Sequence, residues 1–312
     1  MTTSAPARAL SGTAFATLLL IALMMGANHV AARVAFNNGV DVATAVAVRS
    51  IVTAIVVSLL VIMQGVPLAT NGPNAQKAFS ARHKRFLPAI GLLIGIQSLC
   101  LYSAVARLPV ALALLAFNTY PLWAAVWDRV LYQRRTEPAV LKAMPLLLIG
   151  LAMALDVFGA ASGLGAAGQW SLIGTGVAFA LASSATFGLA MILTQREAGD
   201  VDGRLRTAST MAITGLIALA VVTAQGGFHL PQATPGWWGL AALTFLYGTA
   251  FTVMFTVLPK LGVAGNSAIM NVEPVFALVL AWLILGQSIA AVQVAGALLV
   301  VGTVMVLGLR KR

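Results

Sequence analysis

Ten runs of about twenty apolar residues make up most of this chain, near 13–36, 41–63, 86–107, 109–131, 143–158, 170–195, 207–226, 236–258, 264–285 and 289–309. Roughly twenty helical residues cross the 30 Å of a bilayer's hydrocarbon, so runs of this length mark membrane spans. They do not alternate apolar with polar residues as the strands of a membrane barrel would. The expected fold is an all-α integral membrane protein with ten transmembrane helices. Its links carry helix breakers: "GVPLATNGPN" after the second run, "FGAASGLGAAG" after the fifth and "QGGFHLPQATPG" after the seventh.

Charge follows the same plan. Only 9% of residues are charged, far below a soluble domain, yet the net charge is +11. With a cytoplasmic N-terminus, 16 of the 19 Lys and Arg residues fall in inside segments, and only Arg33, Arg49 and Arg107 lie elsewhere. The positive-inside rule then places both termini in the cytoplasm of a bacterial inner membrane. The basic residues are not interleaved with aromatics on a polar face, so the expected partners are lipid and a small molecule, not nucleic acid. Cys100, the single cysteine, permits no intrachain disulfide and reads as a small apolar group. The apolar stretch from Ala14 to Met25 continues to Phe36, which makes it a first span and not a signal peptide.

A shift of 153 residues lays "PVALALLAFNTYPLWAAV" (Pro109–Val126) on "GVAGNSAIMNVEPVFALV" (Gly262–Val279) with six identities in 18 and no gap. Gly95 then falls on Gly248 and Tyr102 on Phe255. Internal duplication divides the chain into repeats 1–158 and 159–312, each of five spans. Five is odd, so the second repeat enters the membrane inverted relative to the first. Inverted repeats around a central cavity are a common architecture of secondary transporters.

The stretch "MMGANHVAARVAFNNGVDVATAVAVRS" (Met24–Ser50) resembles the opening signature of the EamA-type family of drug/metabolite transporters, with a Gly in the first span, a basic residue beyond it and an Arg in the second. The paired fourth and ninth spans, with Pro121 and Pro274, resemble that family's tandem domains. Met25 and Arg33 stand where the family usually has Trp and Lys. The resemblance implies an exporter of small organic molecules, aromatic or other neutral amino acids first among them. Drug-like cations and sugar or nucleotide derivatives are the alternative cargoes, and a non-transport membrane assembly protein is the rival class.

Polar groups within spans normally face the bundle interior or a water-filled cavity, which sets the candidate substrate contacts. In the first span they are Asn28, His29 and Arg33, the last two being i, i+4 neighbours on one face. His29 can hydrogen-bond, stack or exchange a proton. Arg33 and Arg49 both suit a carboxylate, and both have structural readings: Arg33 by snorkelling, Arg49 by pairing with a carbonyl or with Glu273. Gln97, Ser98 and Tyr102 in the third span read as ligand donors or helix glue, and "GLLIG" (Gly91–Gly95) as a packing seam. Tyr120, Trp123, Phe187 and Tyr247 join Tyr102 as aromatic pocket candidates.

Pro121 and Pro274 are the candidate hinges, each freeing a carbonyl four residues back, at Phe117 and Met270, for Asn118 and Asn271 to satisfy. Glu273, beside Pro274, is the acid expected in the cavity, with Asn271 about 200° away on an ideal helix. Neither HExxH nor GxSxG occurs, nor a second cysteine, so no enzyme, catalytic residue, metal or cofactor is expected. Phosphorylated cargo would want several converging basic residues, which favours neutral or zwitterionic solutes.

Overall fold

The computed structural model describes residues 12–65, 80–134, 138–159, 163–256, 272–287 and 290–310. Every element among them is a helix: α1 (Gly12–Asn37), α2 (Val42–Met63), α3 (Ala81–Arg107), α4 (Val110–Phe117), α5 (Tyr120–Tyr132), α6 (Pro138–Ala154), α7 (Gly165–Glu197), α8 (Gly203–Ala224), α9 (Thr234–Thr256), α10 (Glu273–Leu285) and α11 (Ala291–Arg310). Six segments are long and apolar enough to cross a membrane: Phe15–Asn37, Val42–Met63, Ala81–Arg107, Val110–Tyr132, Gly165–Glu197 and Gly203–Ala224. Three shorter apolar helices accompany them, Lys142–Ala154, Glu273–Leu285 and Ala291–Thr303. Large apolar side chains face outward along these helices, including Ile55 and Leu59 on α2, Phe245 on α9 and Trp282 and Leu283 on α10. Such a surface is stable in lipid and would aggregate in water.

Helix starts follow local chemistry. Asp41 caps α2 by accepting from Thr44 N at 2.8 Å. Ser80 and His83 form a capping box, so α3 begins at Ala81, several residues before the apolar run near 86. The charged turn "ARHKR" is helical but is not apolar, which is why hydropathy alone misses it. Asp202 caps α8, accepting at 2.8 Å from the backbone N of Arg204. The Arg204 side chain donates to it at 3.1 and 2.9 Å and also bonds Gln64 at the end of α2.

Those bonds from Arg204, against partial burial, hold the Asp202 carboxyl below the usual aspartate range. A lowered folded-state pKa adds stability above the unfolded value and loses it as pH falls through the folded value. The contribution is therefore complete at neutral pH and fades below about pH 4. Asp202→Ala is expected to cost ~1 kcal/mol at pH 7 and nothing in strong acid, read from thermal unfolding of the detergent-solubilised protein across that range.

The expected fourth span is two helices. α4 ends at Phe117, Asn118 and Thr119 make a turn, and α5 restarts at Tyr120 with Pro121 in its first turn. Pro121 thus sits where a helix needs no donor, and does not kink a continuous helix. Asn118 Nδ2 donates to Leu114 O at 2.8 Å and Thr119 Oγ1 to Ala116 O at 2.8 Å, satisfying carbonyls the break would expose. The ninth span restarts the same way at Glu273, with Pro274 in the first turn of α10. Its earlier part, with Met270 and Asn271, lies outside the described residues.

The two halves match in detail. Thr119 before α5 has φ −74°, ψ −3°, and Val272 before α10 has φ −79°, ψ −5°. Each helix has 13 residues and ends on a left-handed residue, Gln133 (φ 51°) and Gly286 (φ 63°). All these pairs obey the 153-residue shift. Helix packing also maps onto itself when the halves are exchanged. α2 packs on α8 and α6 on α11, each a helix against its own counterpart. The contact of α1 with α9 is mirrored by α7 with α3, α3 with α8 by α9 with α2, and α1 with α10 by α7 with α5. The two-repeat architecture is thus visible in packing as well as in sequence.

Candidate functional site

The deepest polar cluster gathers at the junction of the halves. His29 on α1 points Nε2 at Glu273 Oε1, 3.3 Å away at the start of α10. Gly26, one turn earlier, permits this: a Cβ there would lie 3.0 Å from Glu273 O and 3.1 Å from Ala277 N, so only glycine lets α1 lie this close to α10. The carboxylate of Glu273 also benefits from the positive end of its helix.

Tyr102 on α3 extends the cluster. Its hydroxyl donates to Asn28 Oδ1 at 3.1 Å, and its ring lies 5.5 Å from the His29 ring. The guanidinium of Arg49, from α2, rests 4.6 Å from the Tyr102 ring centre and 3.8 Å from that of Tyr247 on α9. Asn28, His29, Arg49 and Tyr102 are 0, 4, 2 and 1% exposed, so the cluster is closed over in this conformation. Among the described residues, Asn28 Nδ2, His29 Nδ1 and Arg49 Nε have no hydrogen-bond partner. The position is costly enough inside a bilayer to call for a purpose.

Other candidates are spent elsewhere. Arg33 Nη1 donates to Val105 O at 2.6 Å and Leu108 O at 3.2 Å, closing the C-terminal end of α3 instead of entering the cluster. Gln97 Nε2 donates to Ser183 Oγ at 3.3 Å, Ser183 Oγ returns to Gln97 O at 3.0 Å, and Ser98 bonds Gln97. This is glue between α3 and α7, the second of the two roles expected for Gln97 and Ser98. Arg49 does not pair with Glu273, because His29 holds that carboxylate.

The five expected aromatics do not form one pocket. Tyr102 and Tyr247 flank Arg49, whereas Tyr120 and Phe187 meet edge-to-face at 5.0 Å with Phe117 as third member. Trp123 lies beside this second group, its Cβ 2.9 Å from where a Cβ on Gly188 would be. A separate crevice between α4, α10 and α11 has Pro274 in its wall but none of the predicted polar side chains.

The sequence leaves Arg49 between a carboxylate-binding and a structural reading. The missing signal was partner choice: a lone arginine in a span looks alike whether it pairs or not.

At the two ends of the bundle, ion pairs tie one half to the other. At the end where α2 starts, Asp41 Oδ2 is 3.5 Å from His229 Nδ1 in the α8–α9 link. At the opposite end, Asp200 lies 3.0 Å from His83 and 3.4 Å from Arg82, and Arg196 lies 3.0 Å from Asp128.

A sequence profile of the EamA-like transporter family matches residues 12–155 and again 174–309. No curated protein matches the sequence. Among solved structures, one titled "Crystal structure of protein" superposes with a TM-score of 0.59 over 96% of this chain and 99% of its own, at 18% identity. That likeness bears on the fold alone.

Proposed function

Because this chain belongs to the EamA-like transporter family, whose members are membrane transporters of small metabolites, we propose that it exports amino acids, aromatic or other neutral ones, by alternating access. The observation that carries this reading is the His29–Glu273 pair, a buried imidazole facing a partly buried carboxylate where the first helix of one half meets the broken span of the other. A rocking motion of the halves would make and break that contact, so whatever binds there is coupled to the motion. Glu273 takes the solute's ammonium group, and Tyr102, Tyr120, Phe187 and Tyr247 offer aromatic surface around it. Pro121 and Pro274 mark the breaks about which α5 and α10 tilt. The membrane is a bacterial inner membrane, crossed ten times with both termini inside, as the distribution of Lys and Arg supports.

Counterflow in proteoliposomes tests the reading. Vesicles loaded with unlabelled phenylalanine or leucine are expected to accumulate the labelled amino acid with saturable kinetics, while empty liposomes do not. Movement of organic cations but of no amino acid would assign the site to another class of cargo.

A further inference from the structure

We propose that Arg49 is the carboxylate-binding residue of the central site, so that its ligands carry a carboxylate as well as the ammonium group received by Glu273. The proposal builds on the transport reading above and narrows its substrate class.

Arg49 is among the largest fully buried side chains, 2% exposed, and its Nε is without a hydrogen-bond partner. Among the described residues, the carboxylates that face a basic side chain are otherwise engaged: Glu273 with His29, Asp41 with His229, Asp128 with Arg196, Glu197 and Asp200 with Arg82, and Asp202 with Arg204. None lies within ion-pair distance of Arg49. A cation inside a bilayer is expensive unless an anion or a ring of dipoles meets it. Here two tyrosine rings meet it. The N–H edge of a guanidinium is the part that grips a carboxylate with parallel hydrogen bonds, and on that edge Arg49 Nε is unpartnered among the described residues.

A second unpartnered donor lies on the same helix face. Thr53 is one helical turn from Arg49 on the same face of α2, 1% exposed, with Oγ1 unpartnered. Tyr102 links this group to the other, since its ring touches both Arg49 and His29. A positive and a negative anchor separated by one tyrosine suit a zwitterion.

Internal symmetry argues that the fold itself does not require the charge. α2 and α8 both have 22 residues, both are capped by Asp (41 and 202) and both end on Gln (64 and 225), a constant shift of 161. Thr53 then falls on Thr214, also fully buried with a free hydroxyl, and Arg49 falls on Thr210. Thr210 only bonds its own helix, at Arg206 O, 2.7 Å away. The same packing position is filled in the other half without any charge.

The test is isothermal titration of the purified, detergent-solubilised protein with three probes: phenylalanine, phenylalaninamide, which lacks the carboxylate, and 3-phenylpropionate, which lacks the ammonium. Wild type is expected to prefer phenylalanine over the amide by on the order of tenfold or more. Arg49→Met is expected to abolish that preference, Arg49→Lys to keep part of it and Thr53→Val to weaken it. All variants are checked for a monodisperse elution profile, and Thr53→Val still reads the site if Arg49→Met does not fold. Equal affinity of wild type for acid and amide, no binding of either acid, or an unchanged preference in Arg49→Met would overturn the proposal. Binding of 3-phenylpropionate without phenylalanine would instead retain Arg49 as the carboxylate site and remove the amino-acid reading.

Discussion

Glu273→Gln is expected to reduce transport by about 100-fold while leaving the protein folded. The glutamine keeps the size and a carbonyl oxygen but removes the charge that faces His29 Nε2 at 3.3 Å and that would receive the solute's ammonium. The Glu273 side chain is 19% exposed, so its loss belongs at the low end of the about 2–5 kcal/mol that removing one partner of a buried charge pair costs, and that end already exceeds tenfold in rate or affinity. Glu273→Asp keeps the charge on a shorter arm and should fall between. Counterflow in proteoliposomes reads the loss, and gel filtration confirms the fold. Transport within twofold of wild type in Glu273→Gln would remove the acid from the site.

The second large effect concerns two glycines. A Cβ on Gly188 of α7 would lie 2.8 Å from Ala124 N, 2.9 Å from Trp123 Cβ and 3.0 Å from Tyr120 O. A Cβ on Gly26 of α1 would meet Glu273 O at 3.0 Å, Ala277 N at 3.1 Å and Phe276 Cβ at 3.3 Å. Residue by residue these contacts are 153 apart, so the glycines do the same work in the two halves. Backbone atoms cannot yield as a side-chain tip can, and overpacking of this kind costs about 1–3 kcal/mol. Gly188→Ala and Gly26→Ala should therefore both lower the melting temperature, Gly188→Ala more, while Gly302→Ala, where a Cβ meets nothing within 4 Å, should not. Function separates the pair: Gly26→Ala pushes α1 from α10 and parts His29 from Glu273, so its transport should fall further than its stability. Equal stability of all three variants would contradict the packing account.

Much of this was legible before any coordinates. The spans declare themselves by length and apolarity, and the duplication survives in the asparagines just before α5 and α10 and the prolines in their first turns, because a helix restart tolerates few residues. The family profile begins its two matches 162 residues apart, the same shift that relates Gly26 to Gly188. Less legible was partner choice. Whether Glu273 meets His29, 244 positions away, or Arg49, depends on how α1, α2 and α10 pack, and one-dimensional pattern holds no such term. Arg33 looked equally suited to a ligand, yet it reaches the last carbonyls of α3. The aromatics, uniform in sequence, divide because α9 and α7 approach the centre from different sides of the pseudo-symmetry.

That asymmetry bears on mechanism. His29 and Glu273 correspond by the repeat to Met191 and Tyr120, so one junction carries an acid and a base where its counterpart carries a thioether and a phenol. A symmetric scaffold can rock either way, while a single charged junction gives it one ligand to respond to.

The central claim, that the halves rock about this junction, is tested most directly by locking each end of the bundle. In a Cys100→Ala background, Asp41→Cys with His229→Cys would be tethered at one end by a reducible bis-methanethiosulfonate linker, the native side-chain tips there lying 3.5 Å apart. Arg82→Cys with Asp200→Cys would be tethered likewise at the other end, where the native tips lie 3.4 Å apart. Counterflow is then measured with the linker in place and after its reduction. Alternating access predicts that either cross-link alone abolishes counterflow and that reduction restores it; undiminished counterflow with one end locked would contradict it.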